Sequence, residues 1–416
     1  MRRLIALLLA VIPLFGAEYF VAPDGNDAND GTPAKPLAGL MKAQSLAKPG
    51  DTVWLRGGTY KATEAQIARR YRAWVYVNLF TKSGTEAAPI TYAAYRDEKP
   101  VFDFSDVRPA DIRINAFQVT GSWLRFKGFE VVGVQVNFKR HGQSCNIENR
   151  GSHNLFERLS LHDGQAIGIY ALDGSHNLFL NCDAYRNHDY TSEDGKGGNV
   201  DGFGCHPAKG AIDNVFRGCR AWFNSDDGYD CISAHESVAF ENCWAMYNGY
   251  SADFKALGDG NGFKAGGYGA ATGDWLPDKA PRHSVKGCVA ARNRANGFYA
   301  NHHLVGGEWL NNSSFQNSSD YNFRMRTTDN LKEITGFGHT FIGNLGYHSR
   351  HTISELDLAK NPPGAEAFYF AKSAGEFLSL DEKELVAPRQ ADGSLPKLTF
   401  LVPKDLKTRQ EFGATR

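Results

Sequence analysis

The sequence lacks an excess of charge of either sign. Its 416 residues include 46 lysines and arginines and 46 aspartates and glutamates, so the formal net charge is zero. Such a chain has no broad positive surface for nucleic acid or for an anionic membrane, and we expect neither as a partner. An acidic ligand would have to meet a local patch of positive side chains.

The cysteines lack the spacing of a zinc or redox motif, since no two of them stand as Cys-x-x-Cys. Their number, seven, is odd. We predict that they are reduced and buried, because free cysteine behaves mainly as a small hydrophobic residue; functional thiols are the alternative. They are Cys145, Cys182, Cys205, Cys219, Cys231, Cys243 and Cys288.

Long apolar runs are missing after the N-terminus. There, two arginines precede an apolar run from Leu4 to Phe15, which the small residues Gly16 and Ala17 follow. These three parts predict a signal peptide over residues 1–17, cleaved near Ala17, and hence a secreted or periplasmic protein. An uncleaved anchor is the alternative, although the run is short for a bilayer.

Long helical patterns are absent too, whereas 44 glycines and 27 phenylalanines accompany many Asn-Gly and Asp-Gly pairs. This composition favours an all-β fold of short strands and tight turns. A short helix is predicted over residues 37–47, within an N-terminal cap and first strands at 18–60. Residues 350–416 are predicted to form a C-terminal cover, with a helix-like stretch from Ser354 to Lys360.

A repeat then organises residues 61–349. Similar segments at 177–187, 214–224, 238–248 and 283–293, with weaker copies around Leu159 and Asn312, follow one another at steps of 23, 37, 24, 45 and 24 residues. A period of about 24 residues with β-rich runs predicts a parallel β-helix, a solenoid whose equivalent residues form vertical ladders. One inward ladder would be Cys182, Cys219, Cys243 and Cys288. A ladder at a turn, joined by amide hydrogen bonds, would be Asn187, Asn224, Asn248, Asn293 and Asn317.

Two insertions interrupt the repeat, at 189–198 and 268–282. Loops on one face of a solenoid often wall a binding groove. Tyr268 and Trp275 of the second insertion are candidates for stacking on sugar rings, or else for packing the insertion itself.

Carboxylates gather at one place in the repeat. Asp226, Asp227 and Asp230 lie within five residues, and aligning the aromatic residues Phe203, Tyr229, Phe263, Phe298 and Phe323 as one ladder puts Asp201 beneath Asp227. Four carboxylates from two coils predict a calcium site, because calcium prefers several hard oxygen ligands. The alternative is a set of turn aspartates before glycine.

The same alignment puts Lys264 directly above Asp230. It is either an ordinary salt-bridge partner or, with a cation among the carboxylates, a lysine whose lowered pKa suits a general base. Proton abstraction next to a carboxylate is the first step in the β-elimination of uronate-containing polysaccharides.

These motifs resemble polysaccharide lyase family 9. They are Asp201-Gly-Phe-Gly, the segment 225–230 and the segment from Asp259 to Lys264, and the resemblance covers residues 19–349. It implies a right-handed parallel β-helix, one calcium ion held by Asp201, Asp226, Asp227 and Asp230, and Lys264 as the catalytic base. Its members cleave pectate or the backbone of rhamnogalacturonan I, so the resemblance implies an acidic pectic polysaccharide as the substrate.

The substrate-binding residues are predicted above Lys264 in the solenoid. Guanidinium groups bind sugar carboxylates in pairs of hydrogen bonds, which suggests Arg324 and Arg326, placed two coils above Lys264. The other candidates are Asn296, Tyr299, His302 and His303. The segment 296–303 and the second insertion look more like the rhamnogalacturonan-cleaving branch than like pectate-cleaving members. We expect a monomer.

Two other functions compete with the lyase. A hydrolase of the polygalacturonase type would use paired aspartates such as Asp226 and Asp227 as acid and base, but the sequence has no Asn-Thr-Asp, Gly-His-Gly or Arg-Ile-Lys run. A non-catalytic carbohydrate-binding solenoid would not need a lysine above an acidic cluster.

Overall fold

A computed structural model of the chain describes residues 16–334, 338–354 and 364–414. In these residues the chain coils into a parallel β-helix with three long sheets of 11 strands each. The prediction of an all-β solenoid is therefore confirmed. The predicted signal peptide, apart from Gly16 and Ala17, and the helix predicted from Ser354 to Lys360, apart from Ser354, lie outside the described residues.

Most coils contribute one short strand to each sheet, while Arg69–Tyr71 and Trp74–Phe80 form an antiparallel pair at one end of the third sheet. The first sheet consists of Glu18–Val21, Thr52–Leu55, Ile90–Ala94, Leu124–Lys127, Leu155–Glu157, Leu178–Leu180, Asn214–Arg217, Val238–Glu241, Ser284–Lys286, Glu308–Leu310 and Thr340–Ile342. The second consists of Gly58–Lys61, Pro100–Asp103, Glu130–Val132, Ser160–His162, Asp183–Tyr185, Arg220–Trp222, Trp244–Met246, Val289–Ala291, Ser313–Phe315, Asn344–Tyr347 and Phe368–Phe370. The third consists of Arg69–Tyr71, Trp74–Phe80, Arg113–Val119, Ser144–Asn149, Ala166–Ala171, Phe203–Cys205, Tyr229–Asp230, Phe263–Lys264, Asn296–Tyr299, Ser319–Asn322 and His351–Ser354. Met325–Arg326 and Glu333–Ile334 form a small antiparallel pair.

Helices are few and short among the described residues. The N-terminal α-helix, Leu40–Leu46, buries Leu40 and Ala43. It starts later than predicted because Leu37 pairs with Val21 in a β-bridge. A second α-helix is Leu406–Glu411, and 3₁₀ turns span Glu64–Gln66, Gly273–Trp275, Ala374–Glu376 and Glu382–Val386. None of the described helices has the length and apolar character needed to cross a bilayer.

Stacked phenylalanines fix the register of the coils. On the first sheet Phe156 pairs with Phe179, which pairs with Phe216. Their ring centroids lie 5.2 and 4.3 Å apart, and none of the three side chains is exposed. Because paired residues are 23 and 37 positions apart in sequence, the strand pairing confirms the predicted repeat and places its insertions outside the core.

Both predicted ladders are present. In the asparagine ladder the side-chain amide Nδ2 donates to Oδ1 of the next asparagine at 3.0–3.1 Å, through Asn187, Asn224, Asn248, Asn293 and Asn317. All seven cysteines are free thiols and buried. These ladders hold one coil on the next and carry no chemistry of their own.

The C-terminal cover runs along the outer face of the second sheet. Phe377, Leu385 and Phe400 pack in a separate apolar cluster with residues of that sheet such as Trp244 and Phe315. The middle of the cover is held by Arg389, whose Nη2 lies 2.6 Å from Oδ1 of the buried Asp183. The tail thus shields the side of the solenoid and leaves the third sheet open.

Candidate active site

Three buried aspartates meet on the outer side of the third sheet. The strands Phe203–Cys205, Tyr229–Asp230 and Phe263–Lys264 are neighbours there. Carboxylate oxygens of Asp201, Asp227 and Asp230 all lie within 4.8 Å of one another. Each of the three residues is at most 5% exposed.

A ladder of hydrogen bonds orients these carboxylates. Oδ1 of Asp201 accepts a hydrogen bond from the backbone N–H of Asp227 at 3.1 Å, as expected for an aspartate one coil beneath. Oδ1 of Asp227 accepts from the backbone N–H and the side-chain amide of Asn261, at 2.6 and 2.8 Å. Oδ2 of Asp227 makes no hydrogen bond, and Nζ of Lys264 lies 3.2 Å from it as an ion-pair partner. This oxygen already faces one positive charge and could also face a metal cation.

Asp226 lies beside this group rather than within it. Its Oδ1 accepts a hydrogen bond from the backbone N–H of Asp259 at 2.8 Å. Its charge nevertheless contributes to the raised pKa of Asp201. Of the four aspartates predicted to bind a metal, Asp201, Asp227 and Asp230 converge, and Asp226 lies beside them.

Lys264 lies directly above Asp230 in the strand register, as the sequence predicted. Its Nζ is 3.1 Å from Oδ2 of Asp230 and 3.2 Å from Oδ2 of Asp227. The lysine side chain is 11% exposed, so its amino group is partly open to the groove.

The cluster carries more negative charge than Lys264 balances. Burial and then the neighbouring carboxylates raise the pKa of Asp201 and of Asp226 well above the usual range, and burial raises the pKa of Asp227 to about 6. Burial opposes the charged form of Lys264, but Asp230 and Asp227 outweigh it and raise the lysine pKa. Hard oxygen donors in surplus, one of them without a hydrogen bond, fit a calcium ion.

Known proteins resemble this chain over most of its length. A family model described as "Pel9A-like, right handed beta helix region" matches residues 19–334. The chain belongs to this family, polysaccharide lyase family 9. Its coils are accordingly those of a right-handed β-helix.

Relatives of this family 9 chain carry two kinds of name. Pectate lyase L of Dickeya dadantii is 34% identical over 92% of this chain and 82% of its own length. Pectate lyase PEL9 of Emericella nidulans is 29% identical over 100% of this chain and 98% of its own length. Among solved structures, a rhamnogalacturonan lyase is 39% identical with a TM-score of 0.89, covering 96% of this chain and 100% of its own. Pectate lyase Pel9A is 32% identical with a TM-score of 0.72, covering 94% and 90%.

The strand register above the family 9 site corrects one predicted alignment. Phe298 pairs with Tyr321, not with Phe323, and Tyr299 pairs with Asn322. Tyr321 takes the inward position because its hydroxyl donates to the carbonyl oxygen of Leu345 at 2.9 Å. Phe323 is buried beyond the strand, so burial alone could not separate the two aromatics. Arg324 is therefore not in the row of Lys264, where Asn322 stands instead.

Asn296 and Tyr299 do lie next to the site. Tyr299 is the residue above Lys264 in the register and is half-buried, and burial raises its pKa. Asn296 extends the aspartate ladder, because its Nδ2 donates to Oδ1 of Asn261 at 2.7 Å. Asn261 in turn holds Asp227, so Asn296 helps to position the Asp227 carboxylate from one coil away.

His302 and Arg326 share an acidic partner. Nδ1 of His302 lies 2.7 Å from Oε1 of Glu333, and Nε of Arg326 lies 2.9 Å from the same oxygen. Nη1 of Arg326 also donates to the carbonyl oxygen of Gly269 at 2.9 Å. Arg324 is near enough to lower the pKa of Tyr299 by its charge.

Two residues predicted for the groove belong to the interior. His303 is 1% exposed; its Nδ1 accepts from the backbone N–H of Gly267 at 3.0 Å and its Nε2 faces the carbonyl oxygen of Pro281 at 2.7 Å. Tyr268 stacks on His303, and its hydroxyl donates to the carbonyl oxygen of Ala234 at 2.9 Å. The contacts proposed for them with a substrate are corrected, because both anchor the second insertion. Trp275, by contrast, is 80% exposed.

Tyr170 and His206 were missed by the sequence reasoning. They surround Gly204, which pairs with Tyr170 on one side and Asp230 on the other. A Cβ at Gly204 would lie 2.7 Å from the Tyr170 ring and 2.9 Å from Nε2 of His206. The glycine after Phe203 in the first motif was the available signal, since it leaves room for these two rings beneath Asp230.

Proposed function

We propose that this protein is a calcium-dependent lyase that cleaves galacturonate-containing pectic polysaccharide, the rhamnogalacturonan I backbone or pectate, by β-elimination. The observation that carries the proposal is a buried lysine whose amino group lies within 3.2 Å of two carboxylates of an over-acidic cluster. The names of the relatives, pectate lyase and rhamnogalacturonan lyase, support the same substrate class.

The cation would be held by Asp201, Asp227 and Asp230, with Asp226 beside them. Calcium bound there supplies positive charge that offsets the carboxylates and draws electrons from the carboxylate of a bound uronate. Asn261 and Asn296 keep the Asp227 carboxylate in its orientation by the hydrogen bonds described above.

Lys264 acts as the general base. The carboxylates raise the pKa of Lys264, and a cation held among them would lower it again by offsetting their charge. In its neutral form, Nζ takes the proton from C5 of the uronate, and the electrons of the C5–H bond form the double bond between C4 and C5. The bond from C4 to the glycosidic oxygen breaks, and that oxygen leaves with the electron pair and takes a proton from water. The products are a shortened chain and a chain that ends in an unsaturated uronate.

The substrate lies along the third sheet beside Lys264. Tyr299, one coil above, the imidazole of His302 and the cationic side chains of Arg324 and Arg326 bind the sugar next to the cleaved bond. Arginine suits this role because its guanidinium pairs with carboxylates. A uronate carboxylate would share Arg326 with Glu333. We also infer that the protein acts alone as a monomer and outside the cytoplasm, since the residues before Ala17 have the parts of a signal peptide.

The test is incubation with polygalacturonate and with rhamnogalacturonan I while absorbance in the ultraviolet is followed. Only elimination creates a conjugated double bond, so we expect absorbance to rise on one of these polymers and not after chelation of calcium. If new reducing ends appeared without a rise in absorbance, the protein would be a hydrolase and not a lyase. Binding without either product would replace it by a carbohydrate-binding solenoid.

A further inference from the structure

A cleft of arginine and aromatic side chains lies at the N-terminal end of the third sheet. It is formed over the antiparallel pair Arg69–Tyr71 and Trp74–Phe80 and their neighbouring strand, and has a volume of about 400 Å³. Its main lining residues are Arg69, Tyr71, Arg72, Trp74, Tyr76 and Arg150. We call it the distal cleft.

Two arginines of the distal cleft, Arg69 and Arg72, have no acidic partner among the described residues. The guanidinium carbons of Arg69 and Arg72 lie 4.9 and 5.1 Å from the ring centre of Tyr71. No carboxylate in the described part of the chain makes a salt bridge with either arginine. Both arginines are exposed, and Tyr71 is 45% exposed. In a chain with zero net charge, this patch is a local concentration of positive charge.

The third arginine of the cleft is held in place from below. Nε of Arg150 donates to Glu148, and its Nη1 donates to Asp173. Glu148 is 2% exposed and also accepts hydrogen bonds from Asn115 and Gln118, at 2.6 and 3.1 Å. A guanidinium fixed in this way loses little further freedom when it binds a ligand.

The cleft and the candidate active site share one row of the sheet. The register runs from Gln118 through Glu148, Tyr170 and Gly204 to Asp230. Four coil steps of about 4.8 Å put Gln118, at the near edge of the distal cleft, about 19 Å from Asp230 along the solenoid axis. The strand Arg69–Tyr71 lies two steps farther from Asp230. A polysaccharide lying along this face would meet both places at once.

We propose that the distal cleft is a second binding site for the acidic polysaccharide, several sugars away from the cleaved bond. Arg69, Arg72 and Arg150 bind uronate carboxylates, and the rings of Tyr71 and Trp74 pack against the apolar faces of the sugars. The proposal takes its substrate class from the proposed function. Its effect is to hold a long chain in the groove while short fragments leave freely.

The test compares two double variants with equal loss of charge. Arg69→Ser with Arg72→Ser removes the two unpaired arginines of the cleft. Arg96→Ser with Arg125→Ser is the control, because both are exposed arginines on the side of the first sheet and Arg96 also lies 4.8 Å over a tyrosine ring. None of the four side chains is buried, so each variant should fold. Binding is followed by electrophoresis in gels that contain polygalacturonate or rhamnogalacturonan I, with chelator present.

We expect the cleft variant to bind the polymer about tenfold more weakly than wild type, and the control variant to bind it as wild type does. In cleavage assays the KM for the polymer should rise by a similar factor, while turnover of a trisaccharide, which cannot reach the cleft, stays unchanged. If the polymer slowed the migration of the two double variants equally, the proposal that the distal cleft binds the polysaccharide would be wrong. Wild type could also show no elimination and yet migrate more slowly in the polymer gel than the Arg69→Ser, Arg72→Ser variant. That result would support binding at the distal cleft and contradict the lyase.

Discussion

Replacing Lys264 by arginine separates positive charge from basicity. A guanidinium does not lose its proton near neutral pH, so arginine keeps the charge beside Asp230 but has no electron pair to take a proton. A positioned general base contributes about 10²–10⁴-fold to a rate. We therefore expect Lys264→Arg and Lys264→Ala to lose at least about 100-fold in kcat, with the polysaccharide still bound.

The same substitutions should move calcium binding and stability in a defined direction. The ammonium lies 3.1–3.2 Å from oxygens of Asp230 and Asp227, in a side chain that is 11% exposed. Removing one partner of a buried ion pair costs about 3–5 kcal/mol when nothing replaces it. Lys264→Ala should therefore unfold at a lower temperature than wild type in chelator. With calcium it should recover, because the cation no longer competes with an ammonium, and its calcium affinity should equal or exceed that of wild type.

The assay is the initial rate of ultraviolet absorbance at saturating polysaccharide, with calcium affinity from calorimetry. Lys286→Arg, an exposed lysine on a first-sheet strand, is the matched control and should keep full turnover. If Lys264→Arg retains more than about a tenth of wild-type turnover, the base lies elsewhere and proton abstraction by this lysine must be abandoned.

Three further predictions concern the metal, the thiols and one buried acid. Chelation should abolish turnover while far-ultraviolet circular dichroism stays unchanged, and Asp227→Ala should behave like chelated enzyme, because the ligands touch one side of a solenoid that its stacked coils hold together. A thiol reagent should label few of the seven cysteines in the native protein and most of them after denaturation, since all are buried. Asp320 is fully buried, with Oδ1 bound by Ser349 at 2.5 Å and Oδ2 without a partner, and burial raises its pKa to about 7. Because the folded pKa exceeds the unfolded value, the contribution of Asp320 to stability should be fully present below about pH 4 and fall by up to about 4 kcal/mol as pH rises to 7, and Asp320→Asn should remove this contribution to the slope.

Each of these has an outcome that contradicts it. If the enzyme kept full activity in chelator, the assignment of a metal to this site would be wrong. Recovery of disulfide-linked peptides from the native protein would refute the reduced ladder. Equal pH slopes of the urea midpoint for wild type and Asp320→Asn would show that this carboxyl titrates normally in the fold.

The ladders could be predicted from sequence because a solenoid turns spacing into position. Asn224 and Asn248, or Asp230 and Lys264, lie one above the other once the coil length is known, and the hydrogen bonds and strand register bear this out. The predicted alignment was wrong one coil above Asn296, where paired residues are 23 positions apart, so that Phe298 pairs with Tyr321 and not with Phe323. Tyr321 and Phe323 are both aromatic and both buried, so neither property shows which one enters the row; in the fold Tyr321 stacks on Phe298 and its hydroxyl donates to the carbonyl oxygen of Leu345.

Side chains outside the regular coils could not be placed in this way. His303 and Tyr268 belong to segments whose path depends on contacts with each other and with Pro281, which no periodicity encodes. The distal cleft depends on the chain turning back at Arg72, which has a positive φ of 54° and joins two antiparallel strands in an otherwise parallel sheet. Sequence reasoning passed over it for that reason.

The tail that lies along the second sheet has a consequence for the order of folding. Arg389 bonds to Asp183, which the ribosome adds 206 residues earlier, and Phe400 covers apolar side chains of coils made long before it. Until the last residues emerge, those coils have an apolar flank that nothing shields. We expect the coils beneath the tail to stay incompletely packed until then, and the protein to reach its final stability only when the C-terminal segment docks.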